Sequence, residues 1–183
     1  MLRKQLFLNL AILAGFTFLF LSVPSGSVLA QLVVTDGIEK SDLPFNIEYP
    51  SGWYARKEGD SVTDAYFFSR EQIKRQSDQF RAGVSIMISK GLAARAADWN
   101  AFKQLVIGAS RSQGAAIEEL PMDKIDGYTA FAFIAKSSRN SMWFVYIMKD
   151  QDIATLVLES PNEEWDTFKP IYAKTIENFS FKK

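Results

Sequence analysis

The stretch Ser141-Met142-Trp143-Phe144-Val145-Tyr146-Ile147-Met148-Lys149 sets seven consecutive apolar or aromatic residues between polar brackets. In an extended chain successive side chains point to opposite faces. Trp143, Val145 and Ile147 therefore share one side, and Met142, Phe144, Tyr146 and Met148 the other. Neither set is suited to water, so the strand belongs in the middle of a sheet covered on both faces. Two helical segments, around Trp99 to Ser112 and around Trp165 to Glu177, can supply the covering layers. The expected fold class is α+β: an antiparallel β-sheet of about six or seven strands with helices packed on both faces, a three-layer α/β/α sandwich.

Outward from this strand the connections are short. Tyr128 to Lys136, a Ser-Ser-Arg-Asn turn, Ser141 to Lys149, an Asp-Gln-Asp turn and Ile153 to Glu159 read as an antiparallel meander, because links this brief leave neighbouring strands no other orientation. Asp126-Gly127 signals a tight turn before Tyr128, and Ala116 to Leu120 reads as a short strand. Upstream, Phe45 to Tyr49 alternates at the strand period, Pro50-Ser51-Gly52 turns the chain, and Trp53 to Arg56, Ala65 to Phe68 and Val84 to Ile88 continue as strands. Leu32-Val33-Val34 is either an added strand or a loose arm.

Asp98 is an N-cap for the first helix, whose Trp99, Phe102, Val106 and Ala109 form the sheet-facing stripe; Gly114 caps its end. Asn162 is the N-cap expected for the second, with Glu163 and Glu164 in the first turn and Trp165, Phe168 and Tyr172 as its stripe. Pro170 lacks an amide hydrogen, which predicts a kink, or a short first turn with the better helix from about Phe168. Asn178 to Phe181 closes the chain as a small extended piece.

The first thirty residues have a different character. Arg3 and Lys4 precede the apolar run Leu6 to Leu21, which gives way to Ser22-Val23-Pro24-Ser25-Gly26-Ser27 and then Val28-Leu29-Ala30. This is the outline of a secretory signal peptide over residues 1–30, cleaved between Ala30 and Gln31. The run is short for a spanning helix, which needs roughly 17–25 residues. Gln31 stands where lipidation would need a cysteine, so the expected product is exported and not lipid-anchored, in the periplasm or outside the cell. It comprises about 150 residues in a single domain, 31–183.

The whole chain has 21 basic and 21 acidic residues, and two of the basic ones fall in the leader. The mature chain is thus slightly acidic and lacks the basic footprint that nucleic acid requires. Without cysteine or histidine there is no Ser-His-Asp or Cys-His triad and no thiolate or imidazole zinc site. Gly83, Gly91 and Gly108 are isolated, so no nucleotide-binding loop is indicated. No catalytic, cofactor-binding or metal-binding residue is assigned, and no cofactor is expected. Carboxylates alone remain: Glu118-Glu119, Asp123 with Asp126, Asp150 with Asp152 and Glu163-Glu164, each also explained as a turn or a helix start. Arg70 to Arg81 departs from the rest, with Arg70, Lys74, Arg75 and Arg81 against Glu71 and Asp78, as either a long loop or a short exposed helix. Those four basic residues are the candidate contacts for a protein partner.

Phe45-Asn46-Ile47-Glu48-Tyr49-Pro50-Ser51-Gly52-Trp53 resembles the opening of the PsbP family. The likeness continues through the strands from Met142 to Leu158, the Ser160-Pro161 step and the closing Ile176-Glu177-Asn178-Phe179-Ser180-Phe181. The resemblance implies an antiparallel sheet between helices, shared with the Ran-binding Mog protein and exported bacterial proteins of the DcrB type. It implies a non-catalytic accessory protein that docks on a membrane-associated or exported complex. In a phototroph this would be the lumenal side of photosystem II, with the protein in the thylakoid lumen. No residue role carries over, because the chain has no histidine for a PsbP-type metal site. The alternative is an exported carboxylate-dependent hydrolase such as a glycosidase, which would need two converging acids.

Overall fold

A computed structural model of the chain describes residues 33–36, 38–72, 81–96 and 98–183. The leader, the cleavage site at Ala30 and Gln31, and the candidate contacts Lys74 and Arg75 lie outside the described residues. The strands are β1 (Val33–Asp36), β2 (Phe45–Asn46), β3 (Tyr54–Gly59), β4 (Thr63–Ser69), β5 (Gly83–Ser89), β6 (Ala116–Leu120), β7 (Lys124–Ile125), β8 (Tyr128–Lys136), β9 (Asn140–Lys149), β10 (Asp152–Pro161) and β11 (Ser180–Phe181). Helix α1 spans Trp99–Ser112 and α2 spans Trp165–Glu177.

Nine of these strands form one antiparallel sheet in the order β1-β3-β4-β5-β10-β9-β8-β6, with β7 also paired to β8. The additions to the expected six or seven are β1, which completes an edge beside β3, and the two-residue β7. After β5 the chain passes through α1 to the far edge at β6. The β8-β9-β10 meander then returns and seats β10 against β5, with Leu156 opposite Ile86. Asp126 and Gly127, at φ 50° and 83°, make the two-residue turn between β7 and β8.

β9 divides its side chains as its alternation requires. Val145 and Ile147 lie in one cluster with Phe168, Tyr172 and Ile176 of α2. Phe144 and Tyr146 lie in the other with Phe102, Val106 and Ile107 of α1. On the α2 side one row crosses the sheet through Ala132, Val145, Leu156, Ile86 and Tyr66, all buried. On the α1 side aromatic rings carry the packing. Phe133 stacks on Phe144 at 5.0 Å, Phe131 on Tyr146 at 4.9 Å, and Phe102 meets Tyr146 edge-on at 5.6 Å.

Helix α1 begins where expected, the Asp98 carboxylate accepting the amides of Asn100 (2.8 Å) and Ala101 (3.2 Å). Its buried face is Phe102, Val106, Ile107 and Ser110; Trp99 and Ala109 are half-buried at the margin of the stripe. Gly114, at φ 84°, follows as the expected terminator.

Two local expectations need correction. Asn162 does not cap α2: a 3-10 turn, Asn162–Glu164, intervenes, and the Asn162 amide is committed to the β8-β9 turn. The expected short first turn is this 3-10 turn, but the helix that follows, Trp165–Glu177 with Pro170 inside it, starts three residues earlier than about Phe168. The Phe45-to-Tyr49 alternation buries Phe45 and Ile47, but only Phe45–Asn46 finds a ladder partner, and this is β11 rather than the main sheet. The segment is tied down by side chains instead: Thr175 Oγ1 donates to Glu48 O at 2.8 Å, and Asn178 Nδ2 to Glu48 Oε2 at 2.9 Å.

Candidate functional site

Register places Arg70 and Arg81 and the β8-β9 turn at one end of the sheet. Ser69 of β4 pairs with Gly83, Gly83 with Glu159, Glu159 with Met142, and Met142 with Ala135, so the residues just beyond this row share that end. Those residues include Arg70 and Arg81 on one side and Ser138 and Arg139 on the other.

Arg70 and Arg81 are not free cations. The Glu71 carboxylate accepts Arg70 Nε at 2.8 Å through one oxygen and the amides of Arg81 (3.1 Å) and Ala82 (3.4 Å) through the other. Arg70 also reaches Glu164 at 2.5 Å and lies over the Phe168 ring, 5.5 Å from its centroid. Arg81 meets Glu163 at 3.2 Å and Glu164 at 3.6 Å. Arg70 and Arg81 are thereby fastened to the 3-10 turn that precedes α2. The hydrogen bond from Arg70 holds the Glu164 carboxyl below the usual range. Burial works against the same effect at Glu71, where Arg70 and the two amides nevertheless win.

Beside this clasp is an open concavity of about 570 Å³ lined by Arg81, Ser138, Arg139, Asn140, Pro161, Asn162 and Glu163. Its far wall is the 137–140 turn, whose backbone is held at Ser137, Arg139 and Asn140. Ser137 Oγ accepts the amides of Arg139 (3.2 Å) and Asn140 (3.0 Å), and Ser137 N donates to Asn140 O at 2.9 Å. Asn162 holds the turn from the other side, its backbone N donating to Arg139 O (2.9 Å) and its Nδ2 to Ser137 O (3.0 Å), while its Oδ1 accepts Ser141 Oγ at 2.8 Å. Among the described residues the side chains of Ser138, Arg139 and Asn140 have no hydrogen-bond or ion-pair partner. Sequence reading took this tetrapeptide for a connection. Its cue was an arginine flanked by Ser and Asn in a turn otherwise satisfied by its own serine.

Several of the acids that could serve chemistry are already engaged. Glu119 pairs with Lys103 (3.0 Å) and Arg111 (3.6 Å), Asp126 accepts Phe181 N (2.9 Å), and Asp152 accepts Gly91 N (2.8 Å). No group of three or more acids able to hold a metal ion occurs among the described residues. Glu159 differs. It sits on β10 between Gly83 and Met142, half-buried, and burial pushes its carboxyl up to about 7. Its backbone carbonyl accepts the Tyr172 hydroxyl. Among the described residues no helix is long and apolar enough to cross a membrane.

No protein-family model and no curated protein matches the chain. Among solved structures it is similar to the protein of unknown function PA94 from Pseudomonas aeruginosa, at 12% identity over 82% of this chain and 98% of that one, with a TM-score of 0.47. It is also similar to cyanobacterial PsbP (CyanoP) from Synechocystis, at 16% identity over 89% of this chain and 99% of that one, with a TM-score of 0.44.

Proposed function

We propose that the chain is an exported, non-catalytic accessory module of PsbP-like fold that docks by surface contact on an acidic face of a membrane-associated or exported protein complex. In a phototroph that complex is photosystem II, approached from the lumen. The observation that carries the reading is the clasp: Arg70 and Arg81, which flank the basic residues Lys74 and Arg75 in the chain, are tied to Glu163 and Glu164 of the 3-10 turn before α2. Charge so placed acts mainly on association rate and is screened by salt. The hydrolase alternative needs two converging carboxylates. Asp126, Asp152 and Glu119 serve backbone amides and ion pairs instead.

The test compares the mature protein, begun at Gln31, with a Lys74→Glu/Arg75→Glu double variant in pull-downs from native membranes at low and moderate salt. Reduced capture by the variant at low salt, with an unchanged melting temperature, is the expected result. Equal capture by both proteins at both salts would contradict the reading. Export is checked by intact mass, which should show a secreted product beginning at Gln31.

A further inference from the structure

The concavity beside the clasp combines a fixed frame with unengaged recognition groups. Every hydrogen bond that holds the 137–140 turn uses backbone atoms, Ser137 or Asn162, and none uses the side chains of Ser138, Arg139 or Asn140. The backbone of a turn held this firmly loses little conformational freedom on binding, so the roots of its free donors are fixed in place. Arg139 is exposed and carries its full fork of donors. Opposite it, Arg81 and Glu163 form an exposed pair, with side chains 62% and 68% accessible, that can exchange its partners for a ligand's at small cost.

We propose that this groove binds an acidic peptide segment of a partner protein, with a ligand carboxylate on Arg139 and ligand backbone amides on Glu163 and the Asn140 side-chain oxygen. The mixture of charges selects this occupant. Arg139 and Arg81 favour a carboxylate, whereas Glu163 in the same wall repels a compact multiply charged anion and suits the N–H groups that a peptide brings. The docking proposal is needed only as the source of the peptide, and the groove shares its end of the sheet with Arg70 and Arg81.

The experiment measures fluorescence anisotropy of a short labelled peptide alternating glutamate with glycine, added to the mature protein at low salt. Its glutamine counterpart and inorganic phosphate serve as comparisons. Arg139→Glu is the main variant. Asn140→Asp, which keeps shape and adds a charge, replaces it if the first fails to fold, and Lys74→Glu/Arg75→Glu is the third. Expected are saturable binding of the glutamate peptide, weakening of about tenfold or more in either groove variant, and much weaker binding of the glutamine peptide. Absence of binding, equal binding by wild type and the groove variants, or displacement by phosphate as by any anion would overturn the proposal. The two proposals fail separately. Peptide binding that depends on Arg139 without capture of a membrane partner refutes docking alone, whereas capture that depends on Lys74 and Arg75 without peptide binding refutes the groove alone.

Discussion

Leu156→Ala is the sharpest test of the layered core. Leu156 is fully buried, and its cross-strand neighbours Ile86 and Val145 are fully buried as well, on the face that α2 covers. The substitution removes three carbons, and at roughly 0.8 kcal/mol per buried methylene the lost transfer energy is about 2.4 kcal/mol. Two hydrogen-bonded ladders fix the backbone on either side, so the site cannot close over the cavity, and the cavity term raises the expected loss to about 3–5 kcal/mol. That is a large share of an ordinary domain stability of about 5–15 kcal/mol. Urea melts of the mature protein followed by tryptophan fluorescence measure it, with Val62→Ala as the control. Val62 is 56% exposed, and its truncation should change stability by less than about 0.5 kcal/mol. A loss below about 1.5 kcal/mol for Leu156→Ala would mean that the α2 layer does not seal this face.

A double-mutant cycle on Arg70 and Glu164 should give a favourable coupling that shrinks in high salt, since both side chains are partly exposed; a coupling of zero would dissolve the clasp. Asp98→Ala should cost about 1 kcal/mol in the same melts by orphaning two amides of α1, and no loss would show that the cap is idle. Glu159 has a folded pKa raised from 4.5 to about 7, so the folded state binds the extra proton between those values. Its contribution is fully present below about 4.5 and is lost as pH rises through about 7, and Glu159→Gln should flatten the stability profile across that window. An unchanged profile would refute the assignment.

Period-two alternation made the core legible. The two faces of β9 could be read directly from Trp143 through Met148, because burial on both sides leaves no polar position to blur the pattern. The meander was legible from its short turns. The β5-β10 pairing was not, since it joins strands separated by α1 and four other strands and no local signal encodes that register. Asn162 was misread because asparagine before an acidic turn matches a cap, and only the fold brings Ser137 and Ser141 close enough to claim its side chain. Arg70 and Arg81 were legible as basic but not as paired, because Glu163 and Glu164 lie more than eighty positions away. Arg139 escaped for the converse reason: what singles it out is the lack of a side-chain partner among the described residues.

The central functional claim is that the end of the sheet carrying Arg70, Arg81 and the 137–140 turn is the docking face. A photocrosslinking amino acid at Ser138, in the groove, is compared with one at Val62, in the β3-β4 turn at the opposite end of the sheet. Both are carried by the mature protein and irradiated with native membranes. The account predicts a discrete crosslinked partner from position 138, suppressed by the Lys74→Glu/Arg75→Glu substitutions, and none from position 62. The same product from both positions, or a product from position 62 alone, would contradict it.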